Sequence, residues 1–145
     1  MRSVEVSVII DKPPSFVISL FTDYGHLRNW WNVERALIDL RKGGLYTLVW
    51  GISSQGMNYV STGIIAKYLS DCQLHIDQWV YLNPEIQVLG PMELFILATP
   101  ENGKTILNII QRGYQSGEDW DWYYHAVKEA WPILILKIKD YAELS

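Results

Sequence analysis

The sequence predicts an α+β fold in which a meander of about six antiparallel strands carries one long C-terminal helix. Three observations lead there. Over residues 118–143, Trp120, Tyr124, Val127, Trp131, Leu134, Ile138 and Tyr141 recur in alternating steps of four and three, which is one apolar stripe along a helix. Asp121, His125, Lys128, Glu129, Lys139 and Asp140 occupy the far side, as on a solvated helix face. The middle of the chain instead alternates with a period of two, in short runs separated by turn residues. A helix of roughly 40 Å needs a broad surface to lie on, and the strands supply one. A curved sheet holding such a helix leaves a cavity between them unless side chains fill it.

The elements follow in order. Ser3–Ile10 sets Val4, Val6, Val8 and Ile10 against Ser3, Glu5 and Ser7, a half-buried strand. Pro13 and Pro14 suit the entry to a helix, where a missing N–H is harmless. Phe16, Val17, Leu20 and Phe21 give that helix its apolar face. Thr22 or Asp23 can cap a second short helix holding Leu27, Trp30 and Trp31, with His26 and Arg28 on its wet side. Strands are then expected over 35–40 and 45–51, joined by the turn Lys42-Gly43-Gly44, with Tyr46, Leu48 and Trp50 sharing a face. Residues 52–56 form a hairpin loop. A long strand over 59–69 contains Gly63, where a bulge or bend fits. Ser70-Asp71 turns into a strand over 73–81, with Leu74, Ile76 and Val80 on one face and His75, Asp77, Trp79 and Tyr81 on the other. After a loop over 83–91, strands over 92–99 and 104–114 make a last hairpin across Pro100-Glu101-Asn102-Gly103. Glu118 and Asp119 stand at the positive end of the long helix. Pro132 interrupts its pattern, either as a kink or as the start of a second helix. The stripe keeps its phase through Trp131 and Leu134, which favours one kinked helix.

Composition narrows the function classes. The 145 residues, 49% apolar and 19% charged, are read as one globular domain over 1–145. A net charge of −4 with no basic cluster argues against nucleic acid as a partner. Cys72 is the single cysteine, which excludes an internal disulfide and a thiolate-rich zinc site; it reads as a small packing residue. The first residues enter a strand pattern without an apolar signal region, and no run is long enough to insert in a membrane, so the expected location is cytoplasmic. Seven Trp and nine Tyr against three Phe tilt the aromatics toward rings with a polar edge, the kind that favour pockets and interfaces.

Several short patterns occur in order along nearly the whole chain. They are Phe21-Thr22-Asp23 through Trp30-Trp31, Asp39-Leu40-Arg41-Lys42-Gly43-Gly44-Leu45-Tyr46, Gly56, Gly63, Leu74, residues 105–113, Trp131, and Leu136-Lys137-Ile138-Lys139-Asp140-Tyr141. In this the chain resembles the homologues of the heat-shock-protein-90 ATPase activator, within the Bet v 1-like, START-related superfamily. The resemblance implies a helix-grip fold, a curved antiparallel sheet of six to seven strands around the C-terminal helix with a hydrophobic cavity between. Where many members have His before the Arg/Ser-Gly of the last strand, this chain has Gln111 before Arg112-Gly113, so no role of that His carries over. Fold alone does not deliver function.

The strongest binding candidates are Trp31, Tyr46, Trp50, Trp79, Tyr81 and Trp131, flat apolar surfaces with N–H or O–H edges that either line the cavity or fill the core. Asp121, His125 and Glu129, four apart on the helix, read as a divalent-cation or acid–base set or as an ordinary solvated face. His75 and Asp77 on one strand face read as an acid–base pair at a pocket rim or as solvated residues. Glu93 is either on the outer face or a polar anchor in the cavity. No catalytic residue, metal or cofactor is assigned. The expected function is binding of a hydrophobic, aromatic or lipid-like small molecule. A chaperone-binding module, by analogy with the family, and a cyclase- or dehydratase-type enzyme using the same cavity are the alternatives. The apolar run Ile133-Leu134-Ile135-Leu136 leaves monomer and weak homodimer both open.

Overall fold

A computed structural model of the chain describes residues 2–145. β1 (Ser3–Ile10) leads through α1 (Pro14–Thr22) and α2 (Tyr24–Trp31) into β2 (Arg35–Ile38), β3 (Leu45–Ser53), β4 (Gly56–Leu69), β5 (Gln73–Leu82), β6 (Leu89–Glu101) and β7 (Lys104–Arg112). The long helix α3 (Glu118–Glu143) closes the order. All seven strands form one antiparallel sheet, ordered β1-β7-β6-β5-β4-β3-β2. Only β1 departs from the meander, returning beside the last strand with Ser3 opposite Arg112 and Ile10 opposite Thr105. This is the helix-grip arrangement that the family resemblance implies, with seven strands where the residue pattern alone gives about six.

Local chemistry explains the connections. Pro14 opens α1, and the Asp23 carboxylate accepts the Gly25 N–H at 2.8 Å to cap α2. Asn32 ends α2 in the left-handed region at φ 57°. β2 stops at Ile38, short of the expected end at residue 40, and β6 begins earlier than expected, at Leu89.

Register shifts between β4 and β5 and between β5 and β6 bend the sheet. The β4–β5 register slips between Thr62 and Ile64 and again between Ile65 and Lys67. At Gly63 a Cβ would stand 2.6 Å from Ile76 Cγ2 and 2.7 Å from the Asp77 carbonyl, so only glycine lets the strands approach this closely. The extra residue opposite Gly63 lies in β5, where Thr62 pairs with Val80 but Ile64 with Asp77, Gln78 takes φ 50°, and the register with β6 jumps at the same place, between Ile76 and Trp79. That extra residue overturns the simple alternation expected for residues 73–81. Trp79 turns to the buried side of Leu74 and Ile76, and Tyr81 meets α3.

α3 runs unbroken across Pro132, as one helix. Its buried line is Trp120, Tyr123, Trp131, Ile135, Ile138 and Ala142, rotated slightly from the predicted stripe, so that Tyr123 replaces Tyr124 at the centre. Burial of each such large side chain contributes about 1.5–3 kcal/mol, enough to hold a helix containing a proline. Leu134 is half-buried, whereas Ile133 and Leu136 are 71% and 59% exposed. The grip therefore does not account for the whole apolar run. α1 and α2 plug one end with Val17, Leu20, Phe21, Leu27 and Trp30, all buried. His26 is not on the wet side: it is half-buried, its Nδ1 lying 2.7 Å from the Tyr141 hydroxyl and its ring edge-on to Phe16. No helix among the described residues is long and apolar enough to cross a membrane.

Candidate functional site

A cavity of about 140 Å³ lies between the concave sheet face and α3. Trp31 at the end of α2, Trp79 on β5 and Trp131 on α3 wall it. Leu94 on β6 and Val127 and Leu134 on α3 complete the apolar lining. Its polar side chains are Ser61, Gln111 and Tyr123. Ala130, exposed and also on the lining, marks the side that opens to solvent, flanked by the half-buried Val127, Leu134 and Trp31.

Of the six predicted aromatics, Trp31, Trp79 and Trp131 line the space, while Tyr46, Trp50 and Tyr81 stand behind the lining. Trp50 donates its indole N–H to the Trp31 carbonyl at 3.0 Å and presents its edge to the Trp31 ring at 5.2 Å. Tyr46 is fully buried, 6.0 Å from the Trp79 ring, and donates its hydroxyl to the Phe21 carbonyl at 2.6 Å. Tyr81 stacks on Tyr123 at 4.7 Å. The physical reason is depth. A ring on the concave face of a strongly curved sheet points at a neighbouring ring before it reaches the central space. Trp120 also lies off the lining, edge-on to Tyr114.

The polar part of the lining is a hydrogen-bonded pair. Gln111 is 4% exposed, and its Nε2 donates to the Tyr123 hydroxyl at 2.9 Å, with Met92 Sδ at 3.5 Å on the same nitrogen. Burial holds the Tyr123 phenol well above its ordinary range, against the hydrogen bond from Gln111, which pulls it down. Among the described residues, only Asn108 Oδ1 and Tyr114 Oη are fully enclosed side-chain polar atoms without a partner. The Gln111 carbonyl oxygen and the Ser61 hydroxyl, neither of them bonded within the protein, therefore open onto free space, and the space beside them is the cavity.

Sequence reasoning missed Gln111, Tyr123, Ser61 and Leu94. Gln111 was reachable by parity, since Thr105, Leu107, Ile109 and Gln111 all point inward along β7. The flanking Ile106 and Ile110 disguise that alternation. Tyr123 was hidden by the one-residue ambiguity of the helical stripe, where Tyr123 and Tyr124 are adjacent.

The other titratable candidates lie elsewhere. His75 Nε2 is 2.9 Å from Glu93 Oε2, and Arg112 Nε donates to Glu93 Oε1 at 3.1 Å. His75 stacks on Phe95 at 4.1 Å, and Arg112 covers the same ring. This cluster sits on the convex face, because its strand positions alternate with the inward Leu74, Ile76, Leu94 and Ile96. The Asp77 carboxylate accepts the Gln78 N–H at 2.8 Å and stabilises the β5 bulge. None of the three lines the cavity. Asp121, His125 and Glu129 are exposed, with Asp121 paired to Arg2 at 2.9 Å. No group of three or more His, Cys, Asp or Glu among the described residues is arranged to hold a metal ion. A larger recess of about 640 Å³, between the end of α2 and the tip of β3, is an open groove lined by Tyr24, Arg28, Asn32, Glu34 and Ile52. Its one carboxylate, Glu34, already accepts the Gly51 and Ile52 N–H groups.

Comparisons with known proteins agree with this architecture. The family model "Activator of Hsp90 ATPase homolog 1-like protein" matches residues 11–143. The Aha1 dimer from Colwellia psychrerythraea, a solution structure, is 14% identical, with TM-score 0.71 over 99% of this chain and 97% of that one. CalU16 from Micromonospora echinospora is 19% identical, with TM-score 0.68 over 97% and 76%. DynU16, a protein in the dynemicin biosynthetic locus, is 15% identical, with TM-score 0.75 over 97% of this chain and 47% of that one. At these identities the likeness shows the fold alone. No curated protein matches the chain.

Proposed function

The chain belongs to the Activator of Hsp90 ATPase homolog 1-like family, and we propose that it is a cytoplasmic binding protein for a hydrophobic small molecule, held between the sheet and α3. The observation that carries this reading is the cavity wall itself. Three tryptophans and four aliphatic side chains surround a space that carries no Asp, Glu, Lys, Arg or His. Such a space favours an apolar, uncharged guest, because a charge buried there has no partner to offset its desolvation.

Size orders the ligand classes. Pockets for drug-sized molecules begin near about 300 Å³, and this one measures about 140 Å³. A lipid-like or multi-ring ligand requires α3 or the α2 end to move off the sheet, whereas a single ring requires no movement. The test is titration of intrinsic tryptophan fluorescence and of NMR shifts with lipids, flavonoids and simple aromatics. Saturable changes at Trp31, Trp79 and Trp131 are expected, and no saturable change from any compound removes the reading.

A second reading, a chaperone-interaction module, draws on the exposed apolar residues of the outer α3 face. Trp122, Ile133 and Leu136 are each more than half exposed, and the family description names a chaperone ATPase. A pull-down followed by a chaperone ATPase assay decides it, and an unchanged ATPase rate eliminates it. The enzyme reading needs an acid or base in the cavity, and His75, Asp77 and Glu93 face the opposite side of the sheet.

A further inference from the structure

Resting on the small-molecule reading above, we infer that the cavity selects a neutral hydroxyaromatic ring, with the Gln111–Tyr123 pair as the residues that recognise the hydroxyl. Volume sets the first restriction. An apolar protein cavity of about 150 Å³ takes benzene, so about 140 Å³ holds one six-membered ring with a substituent of one or two heavy atoms. Charge sets the second. The lining contains no ionisable side chain other than Tyr123, whose phenol burial keeps protonated. A carboxylate or ammonium would enter without a counter-charge.

The third restriction is the pattern of unused hydrogen-bonding capacity. The Tyr123 oxygen accepts from Gln111 Nε2, so its own O–H hydrogen remains free to donate. Gln111 directs Nε2 to Tyr123 and Met92, leaving its carbonyl oxygen, one amide width away, as a free acceptor. A donor and an acceptor side by side are both satisfied by one hydroxyl, which accepts from Tyr123 and donates to Gln111. A ketone satisfies only the donor, and a plain hydrocarbon satisfies neither. The tryptophan faces then pack the ring, and Ser61 stands on the same lining for a second small polar substituent. The amide does not titrate, so recognition holds across the neutral pH range.

The experiment is calorimetric and NMR titration of the intact chain with toluene, phenol, benzaldehyde, benzoate, benzylammonium and 2-naphthol. Phenol is expected to bind about three- to tenfold more tightly than toluene, the gain of one net hydrogen bond. Benzaldehyde should fall between them. Benzoate and benzylammonium should be weaker than phenol by on the order of a hundredfold, and 2-naphthol weaker than phenol. Tyr123→Phe and Gln111→Leu should bring the ratio of phenol to toluene affinity close to one, and the dispersion of the NMR spectrum reports that each variant is folded. Equal binding of phenol and toluene, binding of benzoate as tight as phenol, or a preference for 2-naphthol overturns the inference and leaves the small-molecule reading standing. If no ring of any kind binds, the proposed function fails with it. Should a variant not fold, the ligand series on the unmodified chain still decides.

Discussion

Tyr46 shows how much a single buried side chain does in this core. Its hydroxyl donates to the Phe21 carbonyl and ties β3 to the end of α1, with no solvent access. Tyr46→Phe leaves that carbonyl unpaired, and a loss of about 1–3 kcal/mol is expected, read as a lower urea midpoint at unchanged slope. The tyrosines also make a prediction about alkali. Burial raises the phenols of Tyr46, Tyr114 and Tyr123 above the ordinary 10.0, with Tyr114 pushed further by the neighbouring Tyr123 and Tyr124. Groups raised in the folded state contribute stability that is complete below the unfolded value and declines as pH climbs above it. Unfolding should therefore set in above pH 10.0, and the absorbance of these tyrosinates should rise together with the loss of near-ultraviolet circular dichroism. Tyrosinate absorbance from every tyrosine near the ordinary value, with the fold intact, would contradict the burial.

At the scale of the element, the decisive feature is the β5 bulge at Gln78, which curves the sheet. Gly63 lets β4 close onto β5 opposite it, and the positive φ of Gln78 within it turns Trp79 inward. Gly63→Ala places a methyl group against Ile76 and the Asp77 carbonyl, neither of which can retreat without breaking the pairing. A loss of about 1–3 kcal/mol is expected from this overpacking, with NMR shift changes centred on Ile76 and Trp79. Normal stability with an unshifted Trp79 indole signal would show that the close approach is not required. The same bulge explains why Trp79 walls the cavity while His75, four residues earlier, points away from it. Without the extra residue the two would share a face, as simple alternation expects.

Over the whole molecule, the ends of the chain are clasped. Glu143 Oε2 accepts from Lys139 Nζ at 2.7 Å and from the Asp11 N–H at 2.9 Å, and Lys139 Nζ also donates to the Ile9 carbonyl at 2.7 Å. The clasp pins the last turn of α3 to the end of β1, holding the helix over the sheet. The Lys139 hydrogen bond, then the Asp11 N–H, hold the Glu143 carboxyl below its ordinary 4.5. A lowered carboxylate contributes stability above the unfolded value and loses it as pH falls through the folded one. Glu143→Gln should therefore lower the thermal midpoint at neutral pH. The gap from the unmodified chain should close as pH drops below 4.5. A gap independent of pH would place the effect of the substitution in packing instead.

Much of this was determined by sequence, because it rests on local chemistry. The period of α3, a cap for α2 at Thr22 or Asp23, the proline entry to α1 and the strand alternation of β1 each follow from neighbours along the chain, and the structure puts the cap on Asp23. Of the rings singled out from the aromatic excess, Trp31, Trp79 and Trp131 line the cavity. Three things awaited the tertiary structure. Strand parity beyond a bulge depends on one inserted residue, so Trp79 and His75 could not be separated in advance. The phase of a helix is ambiguous between adjacent tyrosines until the sheet selects one, so Tyr123 took the place of Tyr124. Depth is the third: Tyr46, Trp50 and Tyr81 carry the same chemistry as the rings that wall the cavity, and only curvature and contact with other rings put them behind it. A period tells which way a side chain points, and packing alone decides what it meets there.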